Sequence, residues 1–164
     1  MTQLAKTIQS KFGFEDADLK TPQHDKIMLW LDEYVDEYLH GFYLNRWMQD
    51  DYLICGLEFP GIGRVGKTWE YPVVSGGKFT VGFVDMRCRI DKPRWHSERV
   101  WTESIEICFE VKAVLPSLGE LIRQIRMYKT YIQSPFVVVS PDNRYEKTLL
   151  EQGIRFLQYT GVAP

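Results

Sequence analysis

The sequence has little cysteine, no long apolar run and almost no net charge, and each shortage closes off a class of protein. Three cysteines in 164 residues (Cys55, Cys88 and Cys108) are an odd number, far apart, and never in a Cys-x-x-Cys pair. That spacing excludes a disulfide scaffold and argues against a structural zinc site. No apolar stretch approaches the ~18 residues a membrane span requires, and Met1-Thr2-Gln3-Leu4-Ala5-Lys6 lacks a signal-peptide core. The expectation is a cytoplasmic protein with no membrane partner. Repeats, low-complexity tracts and linkers are also missing, so the chain reads as one domain over 1–164, with a core of about 25–139 behind a polar lead-in, 1–20.

What is present is the composition of a globular chain, 45% hydrophobic and 26% charged. The net charge of −2 conceals an asymmetry. Residues 15–51 carry ten carboxylates against Lys20, Lys26 and Arg46, a balance of −7, whereas residues 61–131 carry twelve Lys and Arg against eight Asp and Glu, a balance of +4. An anionic ligand should meet the second region.

Apolar spacing outlines the elements. Thr21-Pro22 opens a helix whose buried stripe is Ile27, Trp30, Leu31, Tyr34 and Tyr38, with Gly41 near its end. Tyr52–Leu57 reads as a short strand, and Gly76-Gly77 turns the chain into a β-rich run from Lys78 to Ile90. A basic loop, Asp91 to Arg99, leads into a strand from Trp101 to Val114, with Trp101 in the core. Ser117 and Glu120 form a capping box for a helix to about Gln133. The wholly apolar Phe136–Val139 is a strand buried on both faces. Asp142-Asn143 starts a last helix with Gly153 as its cap, and Ile154–Tyr159 is a candidate edge strand. The order α-β-β-β-α-β, then a helix and an edge strand, implies an α/β (α+β) domain: a mixed central sheet flanked by helices.

Two motifs compete to explain the chemistry. Gly61-Ile62-Gly63-Arg64-Val65-Gly66-Lys67-Thr68 fits the phosphate-cradling G-x-x-x-x-G-K-T letter for letter. That pattern works only where a buried strand enters and a helix N-terminus leaves, because the helix supplies aligned N–H groups. Here Pro60 precedes it and Trp69-Glu70-Tyr71-Pro72-Val73-Val74 follows, which opposes a helix. Nucleotide hydrolysis is therefore the minor reading. The second motif is Glu110-Val111-Lys112, a carboxylate and an ammonium on one side of a strand whose other side, Ile105, Ile107, Phe109 and Val111, is apolar. On the triplet alone, a cross-strand salt bridge is the favoured reading. Asp85, which ends the stretch Phe79–Val84, can converge with Glu110 on one hard cation if the two strands pair. Gln124 and Tyr128, four apart, share a face of the following helix.

Asp85, then Glu110-Val111-Lys112, then Gln124-x-x-x-Tyr128 resembles the PD-(D/E)xK nuclease superfamily, in particular its RecB-like branch with a Q-x-x-x-Y helix. The resemblance implies a restriction-endonuclease-like core and a Mg²⁺-dependent deoxyribonuclease, with Mn²⁺ as substitute, an endonuclease before an exonuclease. It implies metal ligation by Asp85, Glu110 and the carbonyl of Val111. Lys112 would position the attacking water and offset charge, Gln124 would orient Lys112 or the phosphate, and Tyr128 would support Gln124. Many relatives add a carboxylate from the first helix; Glu37 is the candidate and Glu33 the second choice, with Glu58 a further one. The chain departs from the pattern at Val84-Asp85, where no proline precedes the aspartate. Arg87, Arg89, Arg94, Trp95, Arg123 and Arg126 are the candidate DNA contacts, the first four on the basic stretch and the last two on the helix. DNA is the implied partner, with a homodimer or a larger DNA-processing complex as the setting. A nuclease fold used only for binding, as a catalytically idle subunit of such a complex, is the alternative.

Overall fold

The structure, a computed structural model, describes residues 21–43, 65–96 and 99–162. Helix α1 spans Pro22–Tyr43. The Thr21 hydroxyl accepts the His24 N–H at 3.2 Å, and Pro22 occupies the first helical position, where no N–H is needed. Its buried stripe is Ile27, Met28, Trp30, Leu31, Val35 and Leu39, rotated from the expected one, so that Tyr34 and Tyr38 sit half-buried at its border.

Three antiparallel strands follow: β1 (Val65–Ser75), β2 (Phe79–His96) and β3 (Arg99–Val111). Gly76 (φ 54°) and Gly77 (φ 73°) take the left-handed conformations that the β1–β2 turn demands. Helix α2 (Leu118–Lys129), with the Ser117–Glu120 capping box formed, crosses to β4 (Phe136–Ser140), and α3 (Glu146–Glu151) crosses to β5 (Arg155–Gln158). Both crossovers give parallel pairs, and the sheet order is β1-β2-β3-β4-β5. Among the described residues the fold is α+β, a five-stranded mixed sheet flanked by helices.

The two faces of the sheet carry separate cores. Met86, Cys88, Ile90, Ile107, Phe109, Val111, Val137 and Val139 pack under α1. Val73, Val81, Val84, Cys108, Phe136 and Val138 pack against Leu121, Ile125, Tyr128, Leu149 and Ile154 from the α2–α3 side. Strand β4 feeds both layers, which is why its residues are apolar without alternation. Each such side chain contributes about 1.5–3 kcal/mol on burial. Burial also pushes the thiols of Cys88 and Cys108, one on each face, up to about 12.

Several expectations are corrected. The first described strand is Val65–Ser75; Tyr52–Leu57, and with it Cys55, lies outside the described residues. Pro72 is tolerated in β1 because β1 is the edge of the sheet among the described residues. The stretch from Asp91 to Arg99 is not a loop: β2 and β3 stay paired from Asp91↔Ser104 to His96↔Arg99, its charges and Pro93 having disguised a strand. Trp101 is 49% exposed rather than core, because it lies on this outlying ribbon. Helix α2 ends at Lys129, short of Gln133, and α3 starts at Glu146, because the Asp142 carboxylate instead caps a turn at the Arg144 N–H (3.1 Å).

Candidate active site

The site forms where β2 and β3 part company. Their ladder ends at Met86↔Phe109, and one more step would set Asp85 opposite Glu110. In place of a backbone carbonyl, the carboxylate of Asp85 accepts the Val111 N–H, Oδ2 to N 2.7 Å. The next amide, Lys112, turns the other way and donates to Val139 O on β4 at 2.8 Å. The Asp85 side chain therefore closes the end of the ladder, and its position is fixed by a backbone it does not belong to.

Glu110 is only 3% exposed, and its Oε1 gathers two donors: Gln124 Nε2 at 2.7 Å and Lys112 Nζ at 3.2 Å. Gln124 Nε2 also lies 3.2 Å from the Tyr128 hydroxyl oxygen, which accepts from it. Spacing of four on α2 puts Gln124 and Tyr128 one turn apart, facing β3. Burial raises the Tyr128 phenol above its ordinary value, and the negative charge of Glu110 raises it further. The charges of Lys112 and Asp85 act on the same hydroxyl, so the two carboxylates, the ammonium and the phenol share one locale. Gly82 makes room for it: a Cβ there would lie 2.7–2.8 Å from the Tyr128 ring and hydroxyl.

A residue the sequence reading missed completes the group. His24, held in the first turn of α1 by the Thr21 cap, places Nε2 3.3 Å from Asp85 Oδ1. Nothing local in the sequence marks it, since its partner is 61 residues away.

Other candidates lie elsewhere. Glu37 is exposed and follows His24 by thirteen residues, about 20 Å along the helix. It lines an open cavity of about 510 Å³ with Tyr34, Tyr38, His40 and Gly41, away from Asp85. Glu33 is also exposed, and Glu58 lies outside the described residues. Arg87 is engaged by Glu106 and stacks over Tyr71, and Arg89 donates to Ser104 at 3.0 Å. The backbone at Arg94 and Trp95 stands nine and ten residues along β2 from Asp85, about 30 Å in an extended strand. Arg123 and Arg126 are exposed on α2; Arg126 donates to Gln152 on the α3 side at 2.7 Å. In the rival motif, Gly66-Lys67-Thr68 is extended strand with no helix behind it, and Lys67 is bound to Asp32 and Asp36 on α1.

Asp85, Glu110 and His24 supply the oxygen and imidazole donors that a small divalent cation accepts. Two neighbouring ligands of one such ion, at ~2.1 Å each, stand about 3 Å apart. The 3.3 Å between His24 Nε2 and Asp85 Oδ1 matches that spacing. Among the described residues no three His, Cys, Asp or Glu side chains converge as a ready-made cage. Glu110 Oε1 is turned toward Gln124 and Lys112, while His24 and Asp85 approach each other directly. No described helix is long and apolar enough to cross a membrane. No protein-family model, curated protein or solved structure matches the chain.

Proposed function

We propose that this chain is a Mg²⁺-dependent DNA nuclease with a restriction-endonuclease-like core, similar to the PD-(D/E)xK enzymes. The observation that carries the reading is the buried Glu110–Lys112 pair, tied by Gln124 to Tyr128, with Asp85 bound to the intervening Val111 amide. A buried ion pair seldom stabilises a fold more than apolar side chains of the same shape would. Its cost at the mouth of a sheet, next to a second carboxylate, points to chemistry.

Asp85, His24 and Glu110, with the Val111 carbonyl, would hold the cation, whose contribution is to neutralise phosphate charge and lower the pKa of water. Lys112 offsets negative charge as it develops on the phosphate, a role worth most in a site shielded from water. Gln124 holds Glu110 by Oε1, leaving the carboxylate one fixed direction in which to act. The raised phenol of Tyr128 stays neutral at pH 7 and anchors Gln124 without adding charge.

The test is cleavage of linear and supercoiled DNA in Mg²⁺, with filter binding in Ca²⁺ for the same variants. Lys112→Ala should lower cleavage by ~10²–10³, the scale for losing one preorganised electrostatic donor. Binding should change little, since one phosphate contact among several alters the salt slope by about one unit. Glu110→Ala should remove cleavage and keep binding. If the native chain cleaves no duplex, single strand or branched substrate while Lys112→Ala loses binding, the site is a docking surface and the nuclease reading fails.

A further inference from the structure

Trp69 and Tyr71 stand two apart on β1 and in an unbroken strand would share a face. They do not. Trp69 Nε1 donates to Asp32 Oδ1 on α1 at 3.2 Å, whereas Tyr71 lies under Arg87, 4.2 Å from guanidinium to ring centre. Arg87 pairs across the ladder with Cys108, which belongs to the core on the α2 side. Strand β2 makes the same reversal: Val84 packs into the α2-side core and Met86 into the α1-side core. The register Trp69↔Met86 and Tyr71↔Val84 sets the two reversals opposite each other, at Glu70 and Asp85. Glu70 has φ 47°, the one positive φ among the described non-glycine residues.

Alternation counted from Val84 would send Asp85 toward α1, and counted from Arg87 it would send Asp85 toward α2. The two halves of β2 disagree at this one residue. We propose that Glu70 is the positioning residue for Asp85, acting through its left-handed backbone and not through its carboxylate. The paired reversal keeps Asp85 out of both core faces and near the plane of the sheet, where Oδ2 meets the Val111 N–H and Oδ1 meets His24. A left-handed non-glycine residue is uncommon in a strand, and such conformations gather at functional sites.

Substitutions separate backbone from side chain. Glu70→Gly and Glu70→Asn tolerate the left-handed conformation without the carboxylate, and Glu70→Val opposes it. Two quantities are read: hydrogen exchange of the Val111 amide and affinity for Mn²⁺. Gly and Asn should leave both near native. Val should speed Val111 exchange at least tenfold and weaken Mn²⁺ binding at least tenfold. If Val does not melt cooperatively, Glu70→Ala replaces it and should exchange faster at Val111 than Glu70→Gly. Equal losses in Gly and Val would mean that the carboxylate is what matters, and native behaviour in Val, or equal rates in Ala and Gly, would mean that the conformation positions nothing; each overturns the proposal. The Mn²⁺ arm rests on the nuclease reading and the exchange arm does not. A native chain that binds no Mn²⁺ while Val111 exchange follows the expected order would end the nuclease reading and uphold the positioning role.

Discussion

Lys67 and Lys112 lie on opposite faces of one sheet, and each meets carboxylates, yet their surroundings have little in common. Lys67 reaches across to Asp32 and Asp36, whose side chains are 39% and 54% exposed. Lys112 meets Glu110, which is 3% exposed and already bound by Gln124. On the α1 face, water screens the charges and the pair costs little to form or to lose. On the α2 face, each charge has given up hydration and depends on its neighbours. Only the second arrangement is expensive enough to need a reason beyond stability.

The sharpest way to break this contrast is to delete one charge from each face. Lys112→Met should destabilise the fold by about 3–5 kcal/mol, because it takes the cationic partner from the buried Glu110 charge. Urea unfolding at pH 7 measures it, and the double variant with Glu110→Gln should recover part of the loss. Were Lys112→Met as stable as the native chain, the Glu110–Lys112 pair would be as well hydrated as the Lys67 pair.

Alkaline titration asks whether the two cores are equally dry. The folded chain keeps the Cys88 and Cys108 thiols protonated up to about 12, while the unfolded chain releases those protons from about 9. The stability they contribute is complete below pH 9 and is lost as pH rises from 9 toward 12. The slope is about 1.4 kcal/mol per pH unit for each thiol. Urea unfolding between pH 8 and 11 should show Cys88→Ala and Cys108→Ala each removing a similar part of that slope. Unequal losses would show one layer admitting water.

Gly82→Ala probes the packing behind the site. Its new methyl meets Tyr128, which is 2% exposed and cannot withdraw without releasing Gln124, so a loss of about 1–3 kcal/mol is expected in thermal or urea melts. An unchanged melt would show that Tyr128 is free to move. Lys67→Ala should have the smallest effect, at most about 1 kcal/mol in the same melts, with DNA cleavage unaltered. A large loss of cleavage in Lys67→Ala would return attention to the G-x-x-x-x-G-K-T segment.

Much of the framework is legible in the sequence because it rests on local signals. The Ser117–Glu120 capping box, the Gly76-Gly77 turn and the unbroken apolar run of β4 each state their structure within a few residues. Gln124 and Tyr128 are readable as neighbours for the same reason, since helical spacing alone sets them on one face. Strand β1 escaped because its alternation reverses at Glu70, so a period-two pattern breaks in mid-strand. The ribbon from Asp91 to His96 escaped because paired strands outside a core need no apolar face. His24 escaped for a third reason: its partner Asp85 lies across the fold, and only the packing of α1 on β2 brings them together. Glu37 stands away from Asp85 because α1 approaches that residue with its first turn and not its middle.

The most direct measurement is a crystal structure of the native chain grown in Mn²⁺, with the ion located by its anomalous scattering. One ion should be bound by Asp85 and His24, with Glu110 or the Val111 carbonyl completing the protein ligands, at bond lengths of roughly 2.1–2.3 Å. Asp32 and Asp36 on the α1 face should hold none. An ion on the α1 carboxylates with none at Asp85, or no ion anywhere at millimolar Mn²⁺, would contradict it.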